Sequence, residues 1–158
     1  MHARTETAIA RWLLSSSRAP DIPRQDWADG KPALLRTGAV FDAVRMPQPL
    51  VHAAVRSTVA DVVAAALAET LDGPVIHDPM AWFYALVPPG TCETWRSPMA
   101  TVRGAGGWLG VPRTDRTVPM RVTAYWAVPV ERTDKLCDPA AVAKLLRVGR
   151  DRLEGGDR

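Results

Sequence analysis

The clearest patterning of hydrophobic and polar positions lies between Leu34 and Leu71, where it reads as strand, turn, strand, helix. Val40, Phe41, Ala43, Val44 and Met46 form a short apolar run bounded by the turn signal Thr37-Gly38, and a second strand candidate precedes it at Ala33 to Leu35. Thr37-Gly38 could close these two strands as a hairpin or a bend. Pro47 and Pro49 stop the second strand, and Pro49 suits the first turn of a helix, where its missing N–H costs nothing. From there Val51, Val55, Val59, Val62, Val63, Ala66 and Leu67 recur at steps of three and four, which predicts one amphipathic helix ended by Asp72-Gly73-Pro74. Only Asp42 breaks the apolar character of the second strand up to Val44.

The flanking sequence adds further elements. Ala8, Ile9, Trp12 and Leu13 predict a helix starting near Thr5 and ending at Ser15-Ser16-Ser17. The proline-rich stretch Arg18 to Pro32 reads as an irregular connection pinned to the core by Trp27. Beyond the central helix, Val75 to His77 and Ala81 to Val87 read as strands, the latter ended by Pro88-Pro89-Gly90-Thr91. Cys92 to Gly107, with Gly104-Ala105-Gly106-Gly107, reads as a mobile or ligand-facing loop. Trp108 to Val111 and Val122 to Val128 complete the strands, and a last helix runs from Ala140 towards Leu153, with Glu154 to Arg158 fraying. The expected fold is a single α+β domain over residues 1–158, with a mostly antiparallel or mixed sheet and two to three packed helices.

Composition narrows the function classes. Over 158 residues, 47% hydrophobic and 23% charged is an ordinary globular balance, and 20 basic against 17 acidic residues lacks the excess of a dedicated nucleic-acid binder. Cys92 and Cys137 read as reduced thiols, and the apolar run in MHARTETAIARWLL is too short for a secretory core or a membrane span. The expected location is cytoplasmic, with no membrane association. His52, His77, Cys92 and Cys137 are scattered singly, and His77-Asp78 is the one adjacent pair of ligand types, so neither a metal nor another cofactor is indicated. No nucleophile elbow appears, and the glycine run after Arg103 lacks the Lys-Ser/Thr ending of a phosphate loop. Trp82, Tyr84, Trp108, Tyr125 and Trp126 are core aromatics or a base-stacking platform, according to whether any is exposed beside Arg103, Arg113, Arg116 or Arg121.

The order of segments Leu34-Leu35-Arg36-Thr37-Gly38-Ala39-Val40-Phe41-Asp42-Ala43-Val44, Gly73-Pro74-Val75, Phe83 to Thr91, Trp108-Leu109-Gly110-Val111-Pro112 and Tyr125-Trp126-Ala127-Val128-Pro129 resembles short actinobacterial proteins related to the bifunctional DNA primase/polymerase N-terminal domain. The resemblance implies that fold. In active members it also implies paired acids on the strand of Val40 to Met46 that hold two divalent metals, and a later Gly-Gly-x-His-type segment that binds nucleotide. This chain departs from both: Asp42 is the one acid on the strand, Arg45 stands near the place of the second, and Trp82 to Val87 runs into Pro88-Pro89-Gly90 without a histidine.

The leading expectation is therefore a non-catalytic binding or regulatory module associated with DNA or nucleotide, with Asp42 paired to an arginine rather than holding a metal. Its candidate ligand-binding residues are Asp42, Arg45, Arg103, Trp108 and Arg113. The alternatives are an active metal-dependent nucleotidyltransferase that draws acids from Asp61, Asp78 or Glu93, and a protein-interaction module with a protein partner and no nucleic-acid role.

Overall fold

In the computed structural model, which describes residues 6–155, the strand built on Asp42-Ala43-Val44 sits inside a sheet covered on both sides. Its alternating side chains enter two different cores: Val44 and Met46 face one, and Ala43 faces the other. All four hydrophobic or small residues named here, Ala43, Val44, Met46 and the neighbouring Phe41, are fully buried.

Among the described residues there are six helices and seven strands. Helices α1 (Ala8–Leu14) and α2 (Asp21–Ala28) lead into β1 (Ala33–Arg36) and β2 (Asp42–Pro47). Next come α3 (Gln48–Val55), α4 (Ala60–Leu71), β3 (Val75–Asp78), β4 (Trp82–Val87), the single turn α5 (Thr91–Thr94) and β5 (Thr101–Arg103). The chain ends with β6 (Trp108–Val111), β7 (Tyr125–Val128) and α6 (Pro139–Gly155). Five strands form one sheet in the order β5-β2-β4-β3-β7, and β1 pairs with β6 in a separate two-stranded sheet. Every pairing is antiparallel. The α+β expectation holds, and α3, α4 and α6 supply its packed helical layer.

The first core lies between the five-stranded sheet and that layer: Val44, Met46, Phe83, Ala85 and Val75 meet Val51, Val63, Leu67 and Leu146. The second lies on the opposite face, where Ala43, Ile76, Tyr84, Leu86 and Trp126 meet the inner side of the β1-β6 pair and α1 with Trp27 of α2. Helix α1 is capped by Thr7, whose hydroxyl accepts from the Ala10 N–H at 3.0 Å.

The sequence pattern and the structure differ in several elements. Residues 18–32 are not an irregular connection throughout, because Asp21–Ala28 is helical. Its proline, Pro23, falls in the first turn, where the helix does not need the N–H. Trp27 is pinned as expected, its indole N–H donating to the Val111 carbonyl at 2.9 Å. The single central helix is two, bent by 81° between α3 and α4. Arg56 ends α3 in a left-handed conformation with φ 58°, and the Ser57 hydroxyl accepts from the Val59 N–H at 3.0 Å, a local bond that competes with helix. In consequence Val59 and Val62, assigned to the buried stripe, are exposed.

Residues 92–107 contain α5, β5 and a tight turn instead of an open loop: the Thr37 hydroxyl donates to the Gly104 carbonyl at 2.6 Å, and the Gly107 N–H to the same carbonyl at 2.9 Å. The last strand is shorter than Val122 to Val128, starting at Tyr125 with Val122 exposed. Strands β1 and β2 belong to different sheets, so Thr37-Gly38 forms a bend and no hairpin. At the C-terminus Glu154 and Gly155 belong to α6, and residues 156–158 of the expected frayed tail lie outside the described residues.

Among the described residues no single helix is long and apolar enough to cross a membrane. The largest helix-on-helix contact is α3 against α6, made close by Gly149: a Cβ there would collide with the Leu50 backbone carbonyl. Gly149→Ala should therefore destabilise the fold by ~1–3 kcal/mol through overpacking despite alanine's better helix propensity. Denaturant midpoints of the two proteins measure this, and an unchanged or higher midpoint for the variant would contradict the close crossing.

Candidate functional site

Strand alternation sets the side on which each candidate residue works. Asp42, Val44 and Met46 share one face of β2, and Ala43 and Arg45 share the other. Asp42 and Arg45 thus point to opposite sides of the sheet, and the expected pairing of Asp42 with an arginine does not occur among the described residues. Asp42 is fully buried; its Oδ2 accepts the Cys92 N–H at 3.0 Å, and Oδ1 has no hydrogen-bond partner. Gly104 closes over it, since a Cβ at that position would press on the Cys92 side chain.

These residues do not fit a two-metal centre. Asp42 is the one acid on its strand and is sealed from solvent, and among the described residues no group of three or more His, Cys, Asp or Glu could hold a metal ion. Asp42 instead holds the Cys92 backbone, tying α5 to the sheet.

The other face of the sheet carries a different arrangement. Arg45 lies opposite Tyr84 across β2 and β4, and its guanidinium stacks over the Trp82 ring at 4.0 Å from the centroid. Arg103 sits over the Tyr84 ring at 5.3 Å and also donates through Nη1 to the Trp108 carbonyl at 3.1 Å. Trp108 is paired with Arg36 in the β1-β6 register, and the Arg36 guanidinium lies over the Trp108 ring at 5.1 Å. Trp82 with Arg45, Tyr84 with Arg103, and Trp108 with Arg36 therefore form three ring–cation pairs, joined by the Arg45–Tyr84 register and by the Arg103 bond to the Trp108 carbonyl. None of the three arginines takes part in an ion pair among the described residues, and the Arg45 Nε has no hydrogen-bond acceptor there.

Each stack contributes about 0.5–2 kcal/mol, depending on how far it is desolvated. Its larger effect is to fix the guanidinium planes while leaving their charge uncompensated. Trp108 is 45% exposed, and Arg36, Arg45, Arg103 and Trp82 are half-buried. Tyr84 is nearly covered, so it serves as a base for Arg103. Asp78, opposite Trp82 in β3, is the nearby acid on this face, and its Oδ1 accepts the Met80 N–H at 3.1 Å.

Three of the five residues expected at the site, Arg45, Arg103 and Trp108, are thus brought together. Asp42 is on the opposite face. Arg113 is also separate: its Nε pairs with Asp115 at 2.6 Å, and its Nη1 reaches the Trp27 carbonyl. Trp126 and Tyr125 are core residues, the Trp126 indole N–H donating to the Pro112 carbonyl at 3.0 Å. Trp82 and Tyr84, expected as core aromatics or a stacking platform, and Arg36, which was not singled out, complete the strip; the signal for Arg36 was its position at the end of β1, next to the Thr37-Gly38 bend.

A polar chain at the edge of the first core was also not legible. The Tyr125 hydroxyl donates to His77 Nδ1 at 2.8 Å, and His77 Nε2–H donates to Gln48 Oε1 at 2.6 Å, which requires the neutral imidazole protonated on Nε2. The ring stacks on Phe83 at 3.9 Å, with planes 1° apart. Burial, with His52 second and Asp78 opposing, holds the His77 pKa down at about 4; burial also lowers that of His52. Burial, with Asp61 second, raises that of the Tyr125 phenol, which keeps it a donor.

No protein-family model matches this chain, and no curated protein or solved structure does.

The histidines give the fold a defined pH dependence. The unfolded chain takes up a proton at His77 near 6.5, and the folded chain resists it down to about 4. Stability is therefore complete above about 6.5 and falls as pH drops through that window, because the unfolded state binds more protons there. Urea midpoints should decrease from about pH 7 to about pH 5, with a shallower decrease in His77→Gln. An equal slope in the two proteins would remove His77 as the cause.

Proposed function

We propose that this protein is a non-catalytic binding module for single-stranded DNA, related to the primase/polymerase domain and working through the Arg36-Trp108-Arg103-Tyr84-Arg45-Trp82 strip. One observation carries the reading: three arginines without acidic partners each lie over an aromatic ring, and one of those rings, Trp108, is exposed. Single strands are bound by combining cations that follow the phosphates with rings on which bases stack, whatever the sequence. Trp108 supplies the open stacking face. Arg36 and Arg103 stand beside it as phosphate partners, and planar guanidinium groups suit bidentate contact with phosphate oxygens. Arg45 on Trp82 extends the same track along the sheet.

With a net charge of only +3, the reading rests on these three uncompensated arginines rather than on overall charge. The non-catalytic part of the reading is supported by Asp42, buried on the opposite face and engaged with the Cys92 backbone.

Fluorescence anisotropy with a labelled oligo-dT strand tests the proposal. Binding should weaken steeply with salt, since phosphate neutralisation releases counterions. Trp108→Ala should reduce affinity by ~1–3 kcal/mol through lost stacking. Arg36→Gln and Arg103→Gln should each lower the salt slope by about 1. Absence of binding at low salt, or an affinity indifferent to Trp108→Ala, would overturn the reading. Incubation with primed template, dNTPs and Mn²⁺ should give no extension product, whereas templated synthesis abolished by Asp42→Ala would show an active polymerase.

A further inference from the structure

The second face of interest lies on the helical side of the sheet, away from the arginine-aromatic strip. Between the α5–β5 segment and α6 there is an open cavity of about 520 Å³, within the range of small-molecule sites. Its wall on α6 is formed by Ala140, Ala143, Arg147 and Arg150, which recur at steps of three and four and so share one helix face. The two alanines make room, and the two arginines follow along the same face.

The opposite wall is built from Trp95, Pro98 and Met99. Trp95 presents an apolar ring, because its indole N–H is already engaged by the Ser97 carbonyl at 2.9 Å and the Ala100 carbonyl at 3.2 Å. Trp95 and Met99 also pack against the first core, so this wall is anchored to the sheet. Apolar surface thus forms the body of the cavity.

The charged side chains that line it have one sign. Arg96, Arg147 and Arg150 line the cavity, and no Asp or Glu does. Arg147 takes part in no hydrogen bond or ion pair among the described residues. Arg150 has a loose contact with Asp151 at 3.7 Å. Arg96 donates only to the Glu93 and Trp95 carbonyls, at 3.3 and 3.4 Å, long bonds that a carboxylate or phosphate would outcompete. Arg147 and Arg150, three apart on a helix, also repel each other. An anion placed among the three would relieve that repulsion and gain charge-assisted hydrogen bonds.

The geometry points to a binding site for a small amphiphilic anion: an acyl or aryl body against Trp95, Met99, Ala140 and Ala143, with a carboxylate or phosphate head held by Arg96, Arg147 and Arg150. The head supplies charge and the body supplies burial, so neither part alone is a sufficient ligand. This site is independent of the single-strand proposal.

Isothermal titration of the full chain with decanoate, below its micelle concentration, provides the test, with decanol and acetate as the body and head alone. Decanoate should bind saturably with one site per chain, and decanol and acetate at least about tenfold more weakly. Arg147→Gln/Arg150→Gln should weaken decanoate about tenfold, and Ala143→Leu, which fills the cavity, by a similar factor. Both arginines are exposed, so the double variant should keep the parent's circular dichroism and melting profile even if Ala143→Leu does not fold. Oligo-dT binding should be equal in the parent and the double variant. No decanoate binding, decanol or acetate binding as tightly as decanoate, or a folded double variant with parental affinity would overturn the assignment.

Discussion

Burial of strand β2 on both of its faces is the constraint on which the rest of the structure depends. With Ala43 directed into one core and Val44 and Met46 into the other, the five-stranded sheet needs cover on each side. Helices α3, α4 and α6 provide it on one side, and the β1-β6 pair with α1 and Trp27 provides it on the other. Cover on the second side ends before the sheet does. Arg45, Trp82 and Arg103 stand where it runs out, half-buried, which allows charged groups to lie at the margin of the second core.

The same constraint decides the roles of the polar residues. Asp42 shares its face with Val44 and is enclosed under α5, so its carboxylate serves a backbone N–H. Arg45, three residues on, emerges on the opposite side and stacks on a ring. Two groups that look like neighbours in the chain are separated by the thickness of the sheet. Conversely, Arg36, Trp108, Arg103 and Tyr84 come from four strands and are linked by ring–cation contacts and the Arg103 bond to the Trp108 carbonyl. The two functional proposals also fall on different sides of the sheet, one on the open end of the second face and one against α6.

Much of the fold was legible. The strands at Ala33, Val44, Val75, Ala85 and Leu109 and the helices at Trp12, Leu67 and Leu146 follow from periodicity and from proline and glycine boundaries. Helix α2 was not, because Pro23 reads as a breaker until its place in the first turn is known. The bend at Arg56 was also hidden, since Val55, Val59 and Val62 continue a helical step across it. Of the candidate site, Arg45, Arg103 and Trp108 were named from residue type and strand position. Trp82 and Tyr84 were named as aromatics, but which ring each arginine meets was not legible, as cross-strand register sets those pairings. The Tyr125-His77-Gln48 chain had no local signal either.

By itself the sequence determined the α+β class, the positions of most strands, the burial of Trp27, and the presence of a single acid, Asp42, on the second strand. These follow from local propensity and from the period of side-chain alternation, which adjacent residues fix among themselves. Only the tertiary structure decided which face of β2 each side chain occupies, that β1 pairs with β6 rather than β2, and that three arginines and three aromatic rings form one strip. Those facts depend on long-range pairing: the strand that lies alongside, and its register, are set by how both cores pack at once, a condition that no short window of sequence contains.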